Sequence, residues 1–186
     1  MITVFTPTYN RAYILNRCYQ SLVNQTTHNF KWLIVDDGSS DHTEDLVKQW
    51  LAEGKVDITY IKQTNAGKPA AHNTGVLNCT TELFICLDSD DFFRADAIET
   101  IYKEWEAVKT KDYIVGLAML KAYSDGKLTG TYLPEEVNET SIYDLYEKYH
   151  FKGELTLIFR TKIIQEYLFP IFEGRSLLVN LLSMTY

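Results

Sequence analysis

The sequence predicts an α/β fold: a mostly parallel sheet flanked by helices, followed by a smaller mixed region. Two observations carry this expectation. Short apolar runs alternate with segments of helical periodicity four times before residue 95, the pattern of a right-handed parallel sheet with crossover helices. Two of the runs also end alike, Phe30 to Val35 at Asp36-Asp37-Gly38-Ser39-Ser40-Asp41 and Phe84 to Leu87 at Asp88-Ser89-Asp90-Asp91. A strand buried on both faces reads as a continuous apolar run, and open α/β sheets collect ligands beyond the carboxyl ends of such strands.

In chain order, Ile2 to Thr6 is a β-rich run closed by Pro7, so the first strand is expected at 2–6. Ile14, Leu15, Cys18, Leu22 and Val23 fall at helical spacing and place a helix over about 11–26. Phe30 to Val35 is the second strand. Ser40 or Asp41 is the expected cap of the next helix, with Glu44 and Asp45 in its first turn as the dipole prefers. Gly54 ends that helix after Glu53, and Val56 to Ile61 is the third strand. Asn65 to Pro69 reads as a turn, Ala70 to Leu77 as a helix of small residues able to lie close to the sheet, and 83–87 as the fourth strand. After a helix at about 95–109 the order changes. Tyr113 to Tyr123 is expected as a longer strand, Asp125-Gly126-Lys127 as a hairpin turn and Leu128 to Leu133 as its partner. A helix over Ser141 to Tyr149, a strand over Leu155 to Arg160 and a short helix at 161–168 complete the pattern. No internal repeat, low-complexity segment or linker interrupts it.

With 186 residues, 46% of them hydrophobic and 13% aromatic, the chain suffices for one domain with a substantial core. A net charge of -7 argues against a sequence-independent nucleic-acid binder, which needs a basic face to displace counterions. Cys18, Cys79 and Cys86 are odd in number, sit in apolar surroundings and lack CxxC or histidine spacing. They are expected as reduced core residues of a cytoplasmic protein. Met1 runs straight into a strand, so no leader is expected, and no apolar stretch approaches the roughly 20 residues of a membrane span.

The stretch Phe84 to Asp91 organises the rest. Three carboxylates in four positions, Asp88, Asp90 and Asp91, repel one another unless a cation is shared between them. A hard divalent ion, held by one or two carboxylates and the oxygens of a phosphate substrate, meets that need. The plainer alternative is a strand end followed by a solvated turn, or by a helix that Asp91 caps. Sheet topology brings Thr6 to Arg11, Asp36 to Asp41 and Asp88 to Asp91 to one edge, with Asn65 to Pro69 opening a helix nearby. A donor with a base, a ribose and a diphosphate needs such parts: a carboxylate for base N–H or ribose hydroxyls, a metal bridging carboxylate to diphosphate, and a cation such as Lys68. The sequence has no GxGxxG after its first strand, no GxxxxGKS/T and no GxSxG. Those absences count against a dinucleotide-binding domain, a P-loop and an α/β-hydrolase. A nucleotidyltransferase shares the acidic α/β architecture but needs a glycine-rich, Arg/Lys-bearing signature near the first strand, which this chain lacks.

Four segments resemble the motifs of family 2 glycosyltransferases with the GT-A fold. They are Thr6-Pro7-Thr8-Tyr9-Asn10-Arg11, Val35-Asp36-Asp37-Gly38-Ser39-Ser40-Asp41, the run from Asn65-Ala66-Gly67-Lys68 to Gly75, and Leu87-Asp88-Ser89-Asp90-Asp91. The resemblance covers residues 2–175. It implies a GT-A type, Rossmann-like sheet in a single domain, with 1–110 as the nucleotide-sugar-binding half and 111–186 as an incomplete acceptor-side half. It further implies inverting transfer of a sugar from a nucleotide donor, most often a UDP-sugar, to a saccharide, lipid-linked or polymer acceptor. Family acceptors are commonly cell-envelope polysaccharides or lipid-linked intermediates, which places such an enzyme in the cytoplasm at the inner face of a membrane. Carried over by position, Pro7, Tyr9 and Asp37 line the nucleoside pocket, with Asp37 at the base, and Lys68 lies near base and diphosphate. Thr6, Arg11, Asn65 and Ser89 complete the nucleotide-sugar set. Asp88 and Asp90 form the DxD pair around ribose, phosphate and Mn²⁺ or Mg²⁺, with Asp91 a further metal ligand. Asn10 and Arg11 serve equally well to cap and open a helix, Asn73 and Gly75 suit helix packing as well as ligand contact, and His72 is expected to be structural. The tyrosines of 102–149 are expected in the core and at the rim, where an acceptor sugar can stack.

Inversion by direct displacement needs a general base for the acceptor hydroxyl. In the family this is an acid shortly after the later strand, often in a Glu-Asp pair. Phe169 to Gly174 still resembles the family, but Asn180 stands where the carboxylate is expected and no acid follows Glu173. Glu173 is the candidate base by position, with Glu154 behind it. A reading-frame shift after the Gly174 codon accounts for the missing base, because one restored G lets the following codons be reread as Glu-Lys-Phe-Val-Ser-Glu-Ser-Val-Val-Tyr-Asp. A short natural variant or an early end are the alternatives. The matching functional alternative is an inactive remnant that holds UDP and metal without transferring sugar.

Overall fold

Apolar, β-branched runs take the middle of the sheet because only there are both of their faces covered. In the computed structural model, which describes residues 1–134 and 136–171, six strands and six helices alternate. The strands are β1 (Ile2–Thr8), β2 (Phe30–Asp36), β3 (Ile58–Lys62), β4 (Leu83–Cys86), β5 (Gly116–Leu120) and β6 (Leu155–Arg160). The helices are α1 (Ala12–Val23), α2 (Thr43–Glu53), α3 (Lys68–Asn78), α4 (Ala97–Val108), α5 (Ile142–Glu147) and α6 (Thr161–Ile164). The sheet order is β3-β2-β1-β4-β6-β5. β1 is buried at every position and lies between β2 and β4, both parallel to it, with β3 parallel to β2. β6 runs antiparallel to β4, and β5 antiparallel to β6. One edge therefore receives the carboxyl ends of β1 to β5 and the amino end of β6.

The alternation of side chains across β1, β2 and β4 sorts two cores. On one face Val4, Trp32 and Ile34 meet Leu15, Cys18 and Tyr19 of α1, Val47 and Trp50 of α2, and Trp105 of α4. Trp50 stacks on Tyr19 with ring centroids 4.3 Å apart and on Trp32 at 5.6 Å. On the other face Phe5, Leu33, Val35 and Phe84 pack against Ala71 and Val76 of α3, with Ile164 of α6 beside them. Gly75 is the reason α3 lies so close, since a Cβ there would sit 2.4 Å from the Phe5 ring. This bears out the expectation of a small-residue helix tight against the sheet.

Several boundaries differ from the sequence reading, each for a physical reason. β1 continues through Pro7 to Thr8. Phe5 C=O accepts from Leu87 N–H at 2.8 Å and Thr8 C=O from Asp37 N–H at 2.8 Å, so Pro7 faces the β4 side, beyond the last β4 pair at Phe5–Cys86. Its missing N–H costs no ladder bond there. α2 begins after His42, but Asp41 supplies the expected capping chemistry, Oδ1 accepting from Thr43 N–H (3.0 Å) and Oγ1–H (2.6 Å). Gly54 ends α2 in a left-handed conformation, as expected. The expected hairpin of 113–123 with 128–133 reduces to its turn and one bridge, Ala122 to Leu128. Beyond it Thr131 N–H donates to Lys152 C=O (2.8 Å), and Gly130 lies where a Cβ would be 1.9 Å from that same carbonyl oxygen. The chain thus turns away, and β5 pairs with β6. Of the tyrosines of 102–149, Tyr102 packs against the core, whereas Tyr113, Tyr123, Tyr132 and Tyr143 are exposed. Arg160 is the group that fixes β6 to the end of α4, stacking on Trp105 and donating to the carbonyls of Lys109, Lys111 and Ile114. No helix among the described residues is long and apolar enough to cross a membrane.

Candidate active site

The loops after β1 and β2 are laced into one rigid unit. Asn10 takes a left-handed conformation (φ 53°), a state its short polar side chain supports. Its Oδ1 accepts from Ser40 N–H (2.8 Å) and Asp41 N–H (3.3 Å), while its own N–H donates to Ser39 Oγ (2.8 Å). Asp41 Oδ2 accepts from Ala12 N–H at 3.0 Å, at the start of α1. Asp36 is fully buried, with Ser39 N–H on Oδ1 and Tyr60 O–H on Oδ2 at 2.6 Å. Burial, then the hydrogen bond and charge of Asp36, push the Tyr60 phenol well above its ordinary value. Asp37 holds the next loop in place. Its Oδ1 accepts from Gln63 Nε2–H (2.7 Å) and Ala66 N–H (3.0 Å), and its Oδ2 from Gly67 N–H (2.7 Å). That carboxylate lies at the positive end of α3, where a helix favours an anion. Gly38 (φ 82°) permits the approach, since a Cβ there would lie 2.9 Å from Asn65 N.

The three acids after β4 each meet a cation from a different part of the chain. Lys68 Nζ, at the start of α3, reaches both Asp88 oxygens at 2.8 and 2.9 Å. Arg11 Nη1 lies 3.8 Å from Asp90 and 3.0 Å from Tyr13 Oη. Lys121 Nζ, just past β5, lies 2.9 Å from Asp91 and 3.3 Å from Glu154. Burial pulls the Lys68 and Lys121 ammonium groups down, but their carboxylate partners outweigh it and hold both above the ordinary lysine value. Cys86 Sγ–H donates to Asp88 Oδ1 at 3.6 Å. Burial first, then the Asp88 charge, push its thiol up to about 12, so it is neutral and no nucleophile at neutral pH.

Lys68, Asp88, Asp91 and Lys121 line a cavity of about 670 Å³ whose walls include Phe84, Leu157, Phe159 and Phe169. His72 stands in one wall among Phe5, Phe84 and Phe169, its ring centroid 4.9 Å from that of Phe169 and edge-on to it. Its buried Nδ1 has no partner among the described residues. Asn73 clasps the Phe169 backbone twice, Nδ2–H donating to its C=O (2.8 Å) and Oδ1 accepting from its N–H (2.9 Å).

The structure gathers Arg11, Lys68, Asp88, Asp90 and Asp91 at one edge as the sequence predicts, and sets Asp37 under the 65–67 loop. Pro7 and Ser89 are buried, whereas Tyr9 and Asn65 are exposed. The Thr6 side chain points elsewhere: it is fully buried, and its Oγ1 accepts from Trp32 Nε1–H at 2.9 Å inside the core. Glu173 and Asn180 lie outside the described residues. Sequence reasoning missed Lys121 and the lacing role of Asn10. Lys121 has no local signature, because only the β5–β6 pairing brings it to this edge. Asn10 had one, a small polar residue between a strand end and a helix start.

Among the described residues no three histidine, cysteine or carboxylate side chains converge as a closed metal centre. The chemistry of 88–91 fits an open one. Asp88 and Asp90 offer hard oxygen donors with side chains 35% and 51% exposed, and a divalent ion shared with a diphosphate needs only one or two protein carboxylates.

Strand ends carrying acids and cations beside a cleft, on this sheet order, are those of an open α/β sheet that takes its ligand at the carboxyl edge. The model of the family "Glycosyl transferase family 2" matches residues 3–168, and the chain belongs to that family. It is 33% identical to the glycosyltransferase GlyA of Streptococcus pneumoniae over 82% of this chain and 22% of GlyA. It is 34% identical to a chondroitin synthase of Escherichia coli over 56% of this chain and 15% of that enzyme. The chain thus spans about a fifth of the length of these relatives. Among solved structures, S. aureus TarS 1-349 superposes with a TM-score of 0.69 at 21% identity, covering 95% of this chain and 52% of TarS 1-349. The mannosyltransferase PcManGT of Pyrobaculum calidifontis, in complex with GDP-Man and Mn²⁺, gives 0.64 at 23% identity over 91% of this chain and 47% of PcManGT. These likenesses establish the fold, and the family model establishes the family.

Proposed function

We propose that the chain is an inverting, metal-dependent transferase that takes its sugar from a UDP-sugar and passes it to a saccharide or lipid-linked acceptor. The observation that carries this is the edge itself, where Asp88, Asp90 and Asp91 face Lys68, Arg11 and Lys121, the Lys68–Asp88 and Lys121–Asp91 pairs lining the cavity. Such an arrangement suits a ligand carrying both negative charge and a metal. The donor side comprises residues 1–110, with Tyr9 and Asn65 exposed to meet the nucleoside. Asp37 shapes the loop beneath it through its bonds to Ala66 and Gly67, leaving one acceptor direction of Oδ2 for a base N–H. Asp88 and Asp90 would hold Mn²⁺ or Mg²⁺, with Asp91 as a further ligand. When bound, the ion stabilises the charge that develops on the departing diphosphate as a Lewis acid. Lys68 and Arg11, freed from their carboxylates, orient the diphosphate and add positive charge. Thr6 serves the core in this reading. The acceptor approaches from residue 111 onward, over the exposed tyrosines. TarS 1-349 complexes with UDP and UDP-GlcNAc support the donor assignment, and the PcManGT complex supports the metal. A cytoplasmic setting at the inner face of a membrane fits a lipid-linked acceptor.

Asn180 in place of an acid favours a second reading, in which UDP and metal bind without transfer. Calorimetry of UDP with and without Mn²⁺, beside hydrolysis of a panel of UDP-sugars, separates the two. Metal-dependent binding that Asp88→Asn abolishes, with turnover, supports the transferase and makes Glu173 the first base to mutate. The same binding without turnover supports the remnant. A folded protein that ignores UDP overturns both.

A further inference from the structure

Of the three cations facing the acidic edge, Lys121 is the one with a second carboxylate within reach among the described residues. Lys68 pairs with Asp88 and Arg11 with Asp90, whereas Lys121 Nζ bridges Asp91 (2.9 Å) and Glu154 (3.3 Å). The architecture enforces this. Leu120 faces Leu155 in the antiparallel β5–β6 ladder, so the next pair outward is Lys121 and Glu154, where opposite charges across strands attract. Asp91 is brought alongside by the turn after β4, its N–H donating to Asp88 C=O at 3.0 Å. The Lys121 backbone is pinned, its C=O accepting from Thr129 N–H (3.0 Å) and Oγ1–H (3.2 Å). The ammonium, on this pinned backbone, stands between two partly exposed carboxylates.

We propose that Lys121 is a positioning residue of the donor site: it holds the Asp91 carboxylate in the metal-free protein and yields it to the divalent cation, shifting its ammonium onto Glu154. The inference rests on the metal-dependent reading above and goes beyond it by giving the chain its own counter-ion for the third acid. Pairs between partly exposed charges are weak, so a divalent ion held by two or three oxygens displaces the ammonium without disturbing the fold. Glu154 keeps the displaced charge from being stranded next to the metal. No bond is made or broken in the exchange, and a cation leaves as a cation arrives.

The test is Mn²⁺ affinity in the presence of UDP, read from the electron paramagnetic resonance signal of free Mn²⁺. The proteins compared are wild type, Lys121→Met, Asp91→Asn, the double variant and Glu154→Gln, each first checked for an unchanged circular dichroism spectrum. Lys121→Met is expected to tighten Mn²⁺ binding by about two- to fivefold, the scale of an exposed ion pair. That gain should vanish in the Asp91→Asn background, the signature of coupling between the two residues. Glu154→Gln should weaken binding, because the ammonium then has only Asp91. An equal gain from Lys121→Met with and without Asp91 would reveal a general charge effect and overturn the inference, as would no gain at all. Absence of Mn²⁺ binding in every protein, wild type included, would overturn the metal reading and this inference with it.

Discussion

His72 illustrates what a single side chain costs and contributes at this site. Its ring packs between Phe5, Phe84 and Phe169, and its Nδ1 has no partner among the described residues. Burial, and then the charge of Lys68, hold its pKa below the ordinary 6.5. Protonation is therefore easier in the unfolded chain, which binds more protons than the folded one over that interval, and stability rises with pH. The contribution is complete above about pH 6.5 and is lost as pH falls toward the folded-state value. Urea unfolding at pH 7.5 and 5.5 should show wild type losing more stability than His72→Leu. Equal losses would mean that the imidazole does not titrate against the fold. At the same scale, Asn10, Asp37 and Asp41 spend their acceptors on backbone N–H groups of neighbouring loops. The motif that suggests ligand binding is thus equally a set of instructions for holding its own loops rigid.

The elements show which sequence signals travel far enough to be read. β4 follows from a continuous apolar run, β2 and β6 from runs that are mostly apolar, and α2 from Asp41 and Gly54 at its two ends. Gly75 fixes how near α3 comes to β1. Gly75→Ala should destabilise the protein by about 1–3 kcal/mol, the usual cost of overpacking, because the added methyl would meet the Phe5 ring at 2.4 Å. Chemical denaturation measures this, and an unchanged midpoint would show that α3 can slide outward. The β5–β6 pairing was not legible, since its partners are separated by the excursion from Lys121 to Glu154 and a local turn at Asp125-Gly126-Lys127 competes for the same strand. The candidate site divides along the same line. Lys68, Asp88 and Asp90 stand in local motifs, whereas Lys121 arrives only through tertiary pairing. Thr6 sits in a motif as well, but the alternation of β1 turns its hydroxyl to Trp32.

For the whole molecule, the donor edge is shared among the loops following four parallel strands, so filling it should stabilise all of them together. UDP with Mn²⁺ at about 100 times its Kd should add about 2.7 kcal/mol to stability. For a chain of this size that raises Tm by roughly 5–11 °C, and excess EDTA should reverse it. A shift unaffected by EDTA would separate nucleotide binding from the metal.

The central place of β1 has a consequence for how the protein is made. Ile2 pairs with Phe30 on one side and Leu83 on the other. During synthesis the first flank of this strand can be satisfied early, whereas the second must wait for 81 further residues, from Ile2 to Leu83. At bacterial-type elongation rates of about 5–20 residues per second that is roughly 4–16 s on the ribosome. Throughout that interval a β-rich strand destined for complete burial offers an open edge, the kind of surface that invites pairing with other chains. The nascent chain should therefore be most prone to aggregation, and most in need of a chaperone, before β4 emerges.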